Sequence, residues 1–429
     1  MKKGLLSISP LFLFLLLYLL PGIILGDFYK MPIVVAFLLS ACYAIVITPG
    51  KFQDKLAIFS RESGHPDVMM MIWIFLLAGA FASSAKAMGA VDATVGLALH
   101  ILPSSLLLPG MFLAACFISL AIGTSVGTIA ALTPVAVGIA TEASVSLPLM
   151  VALIVGGAYF GDNLSFISDT TIAATRTQGC RMRDKFEFNF RLVMPTACLC
   201  LLLYYFLGRG IDIPTNLPDV TFVRVVPYIV VIVAALCGMN VMMVLLLGLS
   251  LCGIIGIATG SYGLLGWLQK ISEGMLGMSE LIIMTLLASG MLAMIRHSGG
   301  MDFIIRVLTR KAKSKRGGEL SIAALTSVVN LCTANNTVAI ITAGPIARDI
   351  ATRFNIDARR SASLLDTASC ITQGLLPYGA QMLIASALAT EIVGTALSPL
   401  SILPHLYYPM ALGVTVIVCI LFRIPRKYS

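Results

Sequence analysis

Charge is what this 429-residue chain has least of: Asp, Glu, Lys and Arg together make up 11% of it. A soluble domain carries about 25%, so the two or three soluble domains that such a length would suggest are excluded. Hydrophobic residues reach 58% and mean hydropathy is +0.97, the composition of an all-α polytopic membrane protein. Other signals are missing as well. None of the ten cysteines forms a CxxC pair or a histidine-associated spacing, so zinc sites are unsupported and the thiols read as small hydrophobes of a helix bundle. No H-E-x-x-H occurs, against a membrane zinc protease. No Walker A lysine motif occurs, against an ATP-driven pump on this chain. Tyr159 stands where a G-x-G-D motif would need glycine, against an intramembrane aspartyl protease.

Acidic residues are scarcer than basic ones, and the net charge is +9. No nucleic-acid partner is needed to explain this, because cytoplasmic loops of membrane proteins collect Lys and Arg. A spanning helix needs about 20 mostly apolar residues. Ten segments qualify: roughly 4–25, 31–49, 67–86, 147–175, 189–208, 222–238, 240–258, 279–296, 358–390 and 402–422. The N-terminal run resembles a signal peptide, but no A-x-A site follows it and it reads as the first crossing. Two further stretches, 104–141 and 319–349, are too long for one crossing, and each has a polar knot in its middle with a proline beyond it. The knots are Gly123–Thr128 and Thr333–Thr337, and the prolines are Pro134 and Pro345. Both stretches read as re-entrant hairpins, since irregular backbone at membrane depth has to be buried in protein or line a polar cavity.

Threading ten crossings and two hairpins from a cytoplasmic N-terminus puts 24 of the 29 basic residues inside, with both termini cytoplasmic. The first hairpin then opens outward and the second inward. The two halves, 1–208 and 209–429, each hold five crossings and one hairpin, and they resemble one another. Lys86, Gly89 and Asp92 match Arg296, Gly299 and Asp302 at an offset of 210. Thr124, Thr128 and Thr133 match Thr333, Thr337 and Thr342 at 209, and Asp162, Ser165, Ser168 and Asp169 match Asp366, Ser369, Thr372 and Gln373 at 204. Five crossings is an odd number, so the second half enters upside down. Inverted repeats with broken helices mark secondary transporters, with the site where the breaks meet near the midplane.

The chemistry concentrates in Gly156–Thr171, which interrupts an apolar helix with Asp162, Asn163, Ser165, Ser168, Asp169 and Thr170. An ionised Asp at membrane depth costs about 2.5–3.5 kcal/mol on insertion scales. A hard cation such as sodium accounts for the two, with Asp162, Ser165 and Asp169 as its oxygen ligands and carbonyls from the unwound helix beside them. The second half offers Asp366, Ser369 and Gln373 ahead of a Gly/Pro break. The hairpin tips add Thr124, Thr128, Asn335, Asn336 and Thr337, whose amides suit either a cation or a small carboxylate substrate. Proton and cation then compete for one buried carboxylate, which is a minimal antiport mechanism.

Gly161-Asp162-Asn163-Leu164-Ser165-Phe166-Ile167-Ser168-Asp169-Thr170-Thr171 resembles the G-D-x-x-S-x-x-S-D-T-T signature of the NhaC-type sodium/proton antiporter family, in the wider ion transporter superfamily. The Asn335-Asn336-Thr337 tip is similar to Ser-Asn-Thr tips of that superfamily. The resemblance implies a homodimeric secondary transporter of a bacterial cytoplasmic membrane, surrounded by lipid, with sodium ions and protons as transported species and no cofactor. Asp162, Ser165, Ser168, Asp169 and Thr170 would be its ion-site residues. Some members of the family exchange organic acids such as malate and lactate. The first tip, Ser125–Thr128, lacks the asparagine, and Pro377-Tyr378 stands where many relatives have Pro-Trp; both departures bear on the substrate more than on the fold. An organic-acid or amino-acid carrier, or a channel, are the competing readings. Single cysteines at Ser144 and Ser314 in a cysteine-depleted background should label from opposite sides of the membrane. Labelling from the same side would break the inverted-repeat topology.

Overall fold

In a computed structural model, the described residues are 2–25, 32–101, 103–165, 168–211, 221–237, 239–300, 303 and 314–424. Among them there is no strand. The first half contributes α1 (Lys2–Leu25), α2 (Ile33–Ile47), α3 (Phe52–Ser63), α4 (Pro66–Met88), α5 (Ala90–Ile101), α6 (Ser104–Ile122), α7 (Ser125–Glu142), α8 (Leu147–Leu164), α9 (Asp169–Gln178) and α10 (Met182–Gly208). The second contributes α11 (Phe222–Leu236), α12 (Val241–Ala258), α13 (Leu264–Gly277), α14 (Ser279–His297), α15 (Lys315–Thr333), α16 (Asn336–Arg353), α17 (Ala358–Gly374), α18 (Ala380–Val393), the short α19 (Pro399–Ile402) and α20 (Tyr407–Phe422). Phe166, Ile167, Asp302 and the basic residues Arg306, Arg310, Lys311 and Lys313 lie outside the described residues.

Seven helices among the described residues are long and apolar enough to cross a membrane, or eight if the pair bent by 53° at residue 406 is one span. The ten expected crossings therefore do not all take the form of one long helix. The α2 and α11 helices have 15 residues each, about 22 Å at 1.5 Å per residue. The segment 358–390 is split into α17 and α18. Each arm of the first hairpin has the length of a crossing. A hairpin and a pair of crossings both return the chain to the side it left, so the charge count holds for either.

The breaks have local causes. At the first tip, Gly123 closes α6 at φ 75°, with its N–H donating to Ser119 O at 2.8 Å. At the second, Ala334 takes φ 47° and donates to Asn330 O at 2.8 Å. A non-glycine residue there costs roughly 1–2 kcal/mol. The glycines of α8 serve close packing. A Cβ on Gly157 would lie 2.8 Å from Phe112 O, and one on Gly161 would lie 2.5 Å from Leu120 N. Small residues let α8 and α6 approach backbone to backbone.

The repeat has one register through hairpin and broken helix, and it is 211 residues. The helices α6, α7, α8 and α9 begin at residues 104, 125, 147 and 169, while α15, α16, α17 and α18 begin at 315, 336, 358 and 380. Ser144 and Asn355 share left-handed φ values of 52° and 51°. Ser119 Oγ donates to Ala158 O and Asn330 Nδ2 to Ser369 O, each across 39 residues. The offsets of 209 and 204 seen in the hydroxyl and acidic matches are therefore out of register. Ser and Thr are frequent in these segments and align at many offsets, whereas the scarce Pro134 and Pro345 sit at 211. Asp162 corresponds to Gln373, not to Asp366.

Two ion pairs are sealed in the bundle. Lys185 of α10, 1% exposed, pairs with Asp366 of α17, which has no exposed surface. Its ammonium also donates to Asn163 O at 2.9 Å and Thr171 Oγ1 at 2.8 Å, which uses all three of its donors. Arg360 pairs with Glu319 at 2.8 Å and donates to Cys419 O at 2.9 Å and Ile424 O at 3.1 Å. Lys185 and Arg360, counted by sequence as cytoplasmic surface charge, are thus internal; the count still favours the same side without them. Removing one partner of a buried pair strands the other and costs about 3–5 kcal/mol. Lys185→Met should lower the melting temperature of the detergent-solubilised protein sharply, and adding Asp366→Leu should recover most of the loss. An unchanged melting temperature in the single variant would place the pair outside the folded core.

Candidate functional site

The two hairpin tips and the two breaks meet around one cavity of about 460 Å³. From the first half, its wall takes Thr124, Ser125, Asp162, Ser168, Asp169 and Thr170. From the second it takes Asn335, Asn336, Thr337, Gln373 and Gln381. Nine of the fourteen sequence-derived site residues are therefore brought together by the fold.

Asp162 lies at the end of α8 and is 3% exposed. Its Oδ1 accepts the backbone N–H of Ser125 at 3.0 Å. Ser125 is the first residue of α7, so the carboxylate sits at a helix N-terminus, where unpaired N–H groups and the helix dipole favour negative charge. Among the described residues no basic side chain comes within ion-pair distance of it. Asp169 opens α9 and is exposed at the rim of the cavity, near the exposed Arg176. Ser168 Oγ and Thr170 Oγ1 lie 2.9 Å apart, and Thr170 Oγ1 donates to Asp162 O at 3.3 Å. No three His, Cys, Asp or Glu residues gather as a metal cluster among the described residues. The oxygens on offer are carboxylate, hydroxyl and amide, a hard set suited to an alkali cation.

At the second tip, Asn335 Oδ1 caps α16 by accepting Val338 N at 3.0 Å, and Asn336 Oδ1 accepts Thr337 N at 3.1 Å. Gln373 Nε2 donates to Ala334 O at 2.9 Å and to Gln381 Oε1 at 3.0 Å, while Gln381 Nε2 reaches Ser125 Oγ at 3.0 Å. This amide chain joins one tip to the other.

Five expected residues stand one layer behind the wall. Thr128 Oγ1 turns back to Thr124 O at 3.0 Å. Ser165 Oγ donates to Leu120 O at 2.9 Å, a carbonyl in the last turn of α6, and so does not face the cavity as a sodium ligand would. Ser369 Oγ donates to Asp366 O at 2.8 Å. Asn163 is fully buried, with Nδ2 3.4 Å from Tyr159 O. Asp366 is held by Lys185 and, at 3.3 Å, by Asn189 Nδ2. Lys185 and Asn189 escaped the sequence reading, although their i, i+4 spacing on a helix that also buries Phe188 and Leu192 places both on the inward face. Ser125 belongs to the expected first hairpin tip, but its contact with Asp162 is through a backbone N–H, which any residue type could supply and the sequence does not reveal.

A family model described as the Na+/H+ antiporter family matches residues 14–209 and 216–422. Over 385 residues the chain is 24% identical to the Na(+)/H(+) antiporter NhaC of Bacillus subtilis, covering 80% of this chain and 83% of that protein. Over 396 residues it is 22% identical to the Na(+)/H(+) antiporter NhaC of Alkalihalophilus pseudofirmus, covering 84% and 85%. Over 342 residues it is 23% identical to the malate-2H(+)/Na(+)-lactate antiporter of Bacillus subtilis, covering 72% of each. With the family match running through both hairpins and both broken helices around the cavity, this chain belongs to the Na+/H+ antiporter family.

Proposed function

We propose that this chain exchanges sodium ions for protons, with Asp162 as the carboxylate for which the two compete. One observation carries the reading: Asp162 is buried in the cavity wall without a basic partner among the described residues, whereas Asp366, equally buried, is committed to Lys185. A buried carboxylate lacking a counter-charge is stable either with a cation beside it or with a proton on it. Sodium bound at Asp162, with hydroxyls of Ser168 and Thr170 nearby, excludes the proton. The proton, once on, removes the charge that holds sodium. A cycle in which the site crosses loaded with one or the other couples the two fluxes in opposite directions. The Ser125 N–H preorganises one oxygen in both states, since it can donate to a carboxylate or to the carbonyl oxygen of the acid.

Division into inverted halves, 1–208 and 209–429, supplies the movement: the 211-residue register supports two copies of one unit meeting at the cavity, each with its own hairpin. The cavity reaches the surface at Asp169 and Arg176. The charge count assigns that face to the cytoplasm, so the conformation described is open inward. The same count supports cytoplasmic termini. The family's bacterial members support a bacterial cytoplasmic membrane, and a homodimer is our reading from the resemblance alone. A small carboxylate substrate is the second reading. The amides of Asn335, Asn336 and Gln373 and the volume of the cavity favour it, as does the malate-2H(+)/Na(+)-lactate antiporter among the relatives.

In proteoliposomes carrying a proton gradient and a pH dye, sodium should collapse the gradient, while malate and lactate should not. Collapse by an organic acid alone would transfer the cavity to the second reading. Asp162→Asn keeps an acceptor for Ser125 N–H and should insert and fold, yet lose exchange by at least about 100-fold; normal exchange in this variant would remove Asp162 from the mechanism. The pH dependence has a defined sign. A proton competing at one carboxylate weakens apparent sodium affinity by about tenfold per pH unit below its pKa and leaves it flat above. A sodium KM independent of pH across the acid limb would contradict competition.

A further inference from the structure

The 211-residue register sets Gln373 at the position of Asp162. Both residues stand four places beyond the carbonyl that receives the matched hydrogen bond from their own hairpin, at Ala158 and Ser369. Each reaches the tip of that hairpin: Asp162 accepts from Ser125 N at 3.0 Å, and Gln373 donates to Ala334 O at 2.9 Å. Both line the same cavity. The difference is chemical. A carboxylate can hold a cation or a proton; a carboxamide oxygen can hold a cation but takes no proton in this pH range.

The amide orientation follows from its partners. Gln373 Nε2 has two acceptors, Ala334 O and Gln381 Oε1, so its other terminal atom is the oxygen. Among the described residues that Oε1 is buried without a hydrogen-bond partner, as are the amide oxygens of Asn163, Asn189 and Asn330; of these four residues Gln373, 1% exposed, is the one in the cavity wall. Buried acceptors are nearly always satisfied, and an orphan in a binding cavity calls for an explanation such as an ion.

From this position we infer that Gln373 Oε1 belongs to a second, proton-insensitive alkali-cation subsite, so that only one of the two repeat-related positions couples cation binding to a proton. The inference rests on the exchange reading above and deepens it, because it assigns proton coupling to one half of the molecule and cation affinity to both.

Two substitutions test it in purified protein, through the protons displaced when sodium saturates the detergent-solubilised protein and through the sodium KM in proteoliposomes. Gln373→Glu installs the missing carboxylate. The protons released when sodium saturates the protein, on the acid side of both carboxyl groups, should rise from about one to about two, one for each site at which a proton competes. Gln373→Ala should raise the sodium KM by about tenfold, the loss of one ligand, with about one proton still released at sodium saturation. A folded Gln373→Glu protein that still releases about one proton would overturn the inference. So would a Gln373→Ala protein whose maximal rate falls while its KM stays put, since that is what a purely structural amide would give. Should Gln373→Glu fail to insert, the KM-against-rate split of Gln373→Ala decides alone. Wild-type protein serves as the separating control. Without sodium-driven proton flux there, the exchange reading itself fails and the subsite with it; with such flux and an indifferent Gln373, only the subsite fails.

Discussion

A helix broken inside an apolar medium frees main-chain groups that water cannot reach, and the organisation of this site follows from where they find partners. The end of α8 releases the carbonyls of Asp162 and Asn163. Asn163 O is taken by Lys185 at 2.9 Å and Asn189 at 3.0 Å, and Asp162 O by Thr170 at 3.3 Å. The end of α6 releases Leu120 O to Ser165, and the second tip releases Ala334 O to Gln373. Most hydroxyls and amides of the signature segment are engaged in this way. That explains why several of them stand behind the cavity and not on its wall. They make the break possible, and the break makes the cavity.

The same constraint separates two aspartates that look alike along the chain. Both are buried within a helix that precedes a break. Asp366 faces α10, which brings an ammonium and an amide, and the resulting pair ties the second broken helix to the first. Asp162 faces the N-terminus of α7, which offers one N–H and the dipole of a helix but no mobile charge. A carboxylate with a permanent internal counter-ion is a brace. One stabilised only partly is free to exchange what completes its shell. Whether a buried aspartate has a counter-charge is thus decided by neighbours that lie 181 residues away in one case and 37 in the other.

Much of this was legible in the residues. The membrane class, the two hairpins, the break after Asp162 and the convergence of tips and breaks all follow from hydropathy, prolines and polar knots. Local composition determines those features. The register of the repeat was harder to see, because Ser and Thr recur so often that false matches arise, although Pro134 with Pro345 and Ile139-Ala140-Thr141 with Ile350-Ala351-Thr352 carry the spacing of 211 residues. Nor did a count of basic residues reveal that Lys185 and Arg360 point inward. Their burial depends on which face of α10 and α17 meets the bundle, and on an acidic partner from a distant helix.

The amino-acid sequence by itself determined that this chain lives in a membrane, breaks its helices at glycine and polar knots, and gathers polar residues around Asp162. Those properties come from transfer energies and backbone preferences of residues close together in the chain. Tertiary structure alone decided which aspartate is compensated and which hydroxyls face the cavity. It also set a neutral glutamine, Gln373, at the position that corresponds to Asp162. The physical reason is that in a low-dielectric interior a charge is defined by its nearest partners, and those partners are chosen by packing.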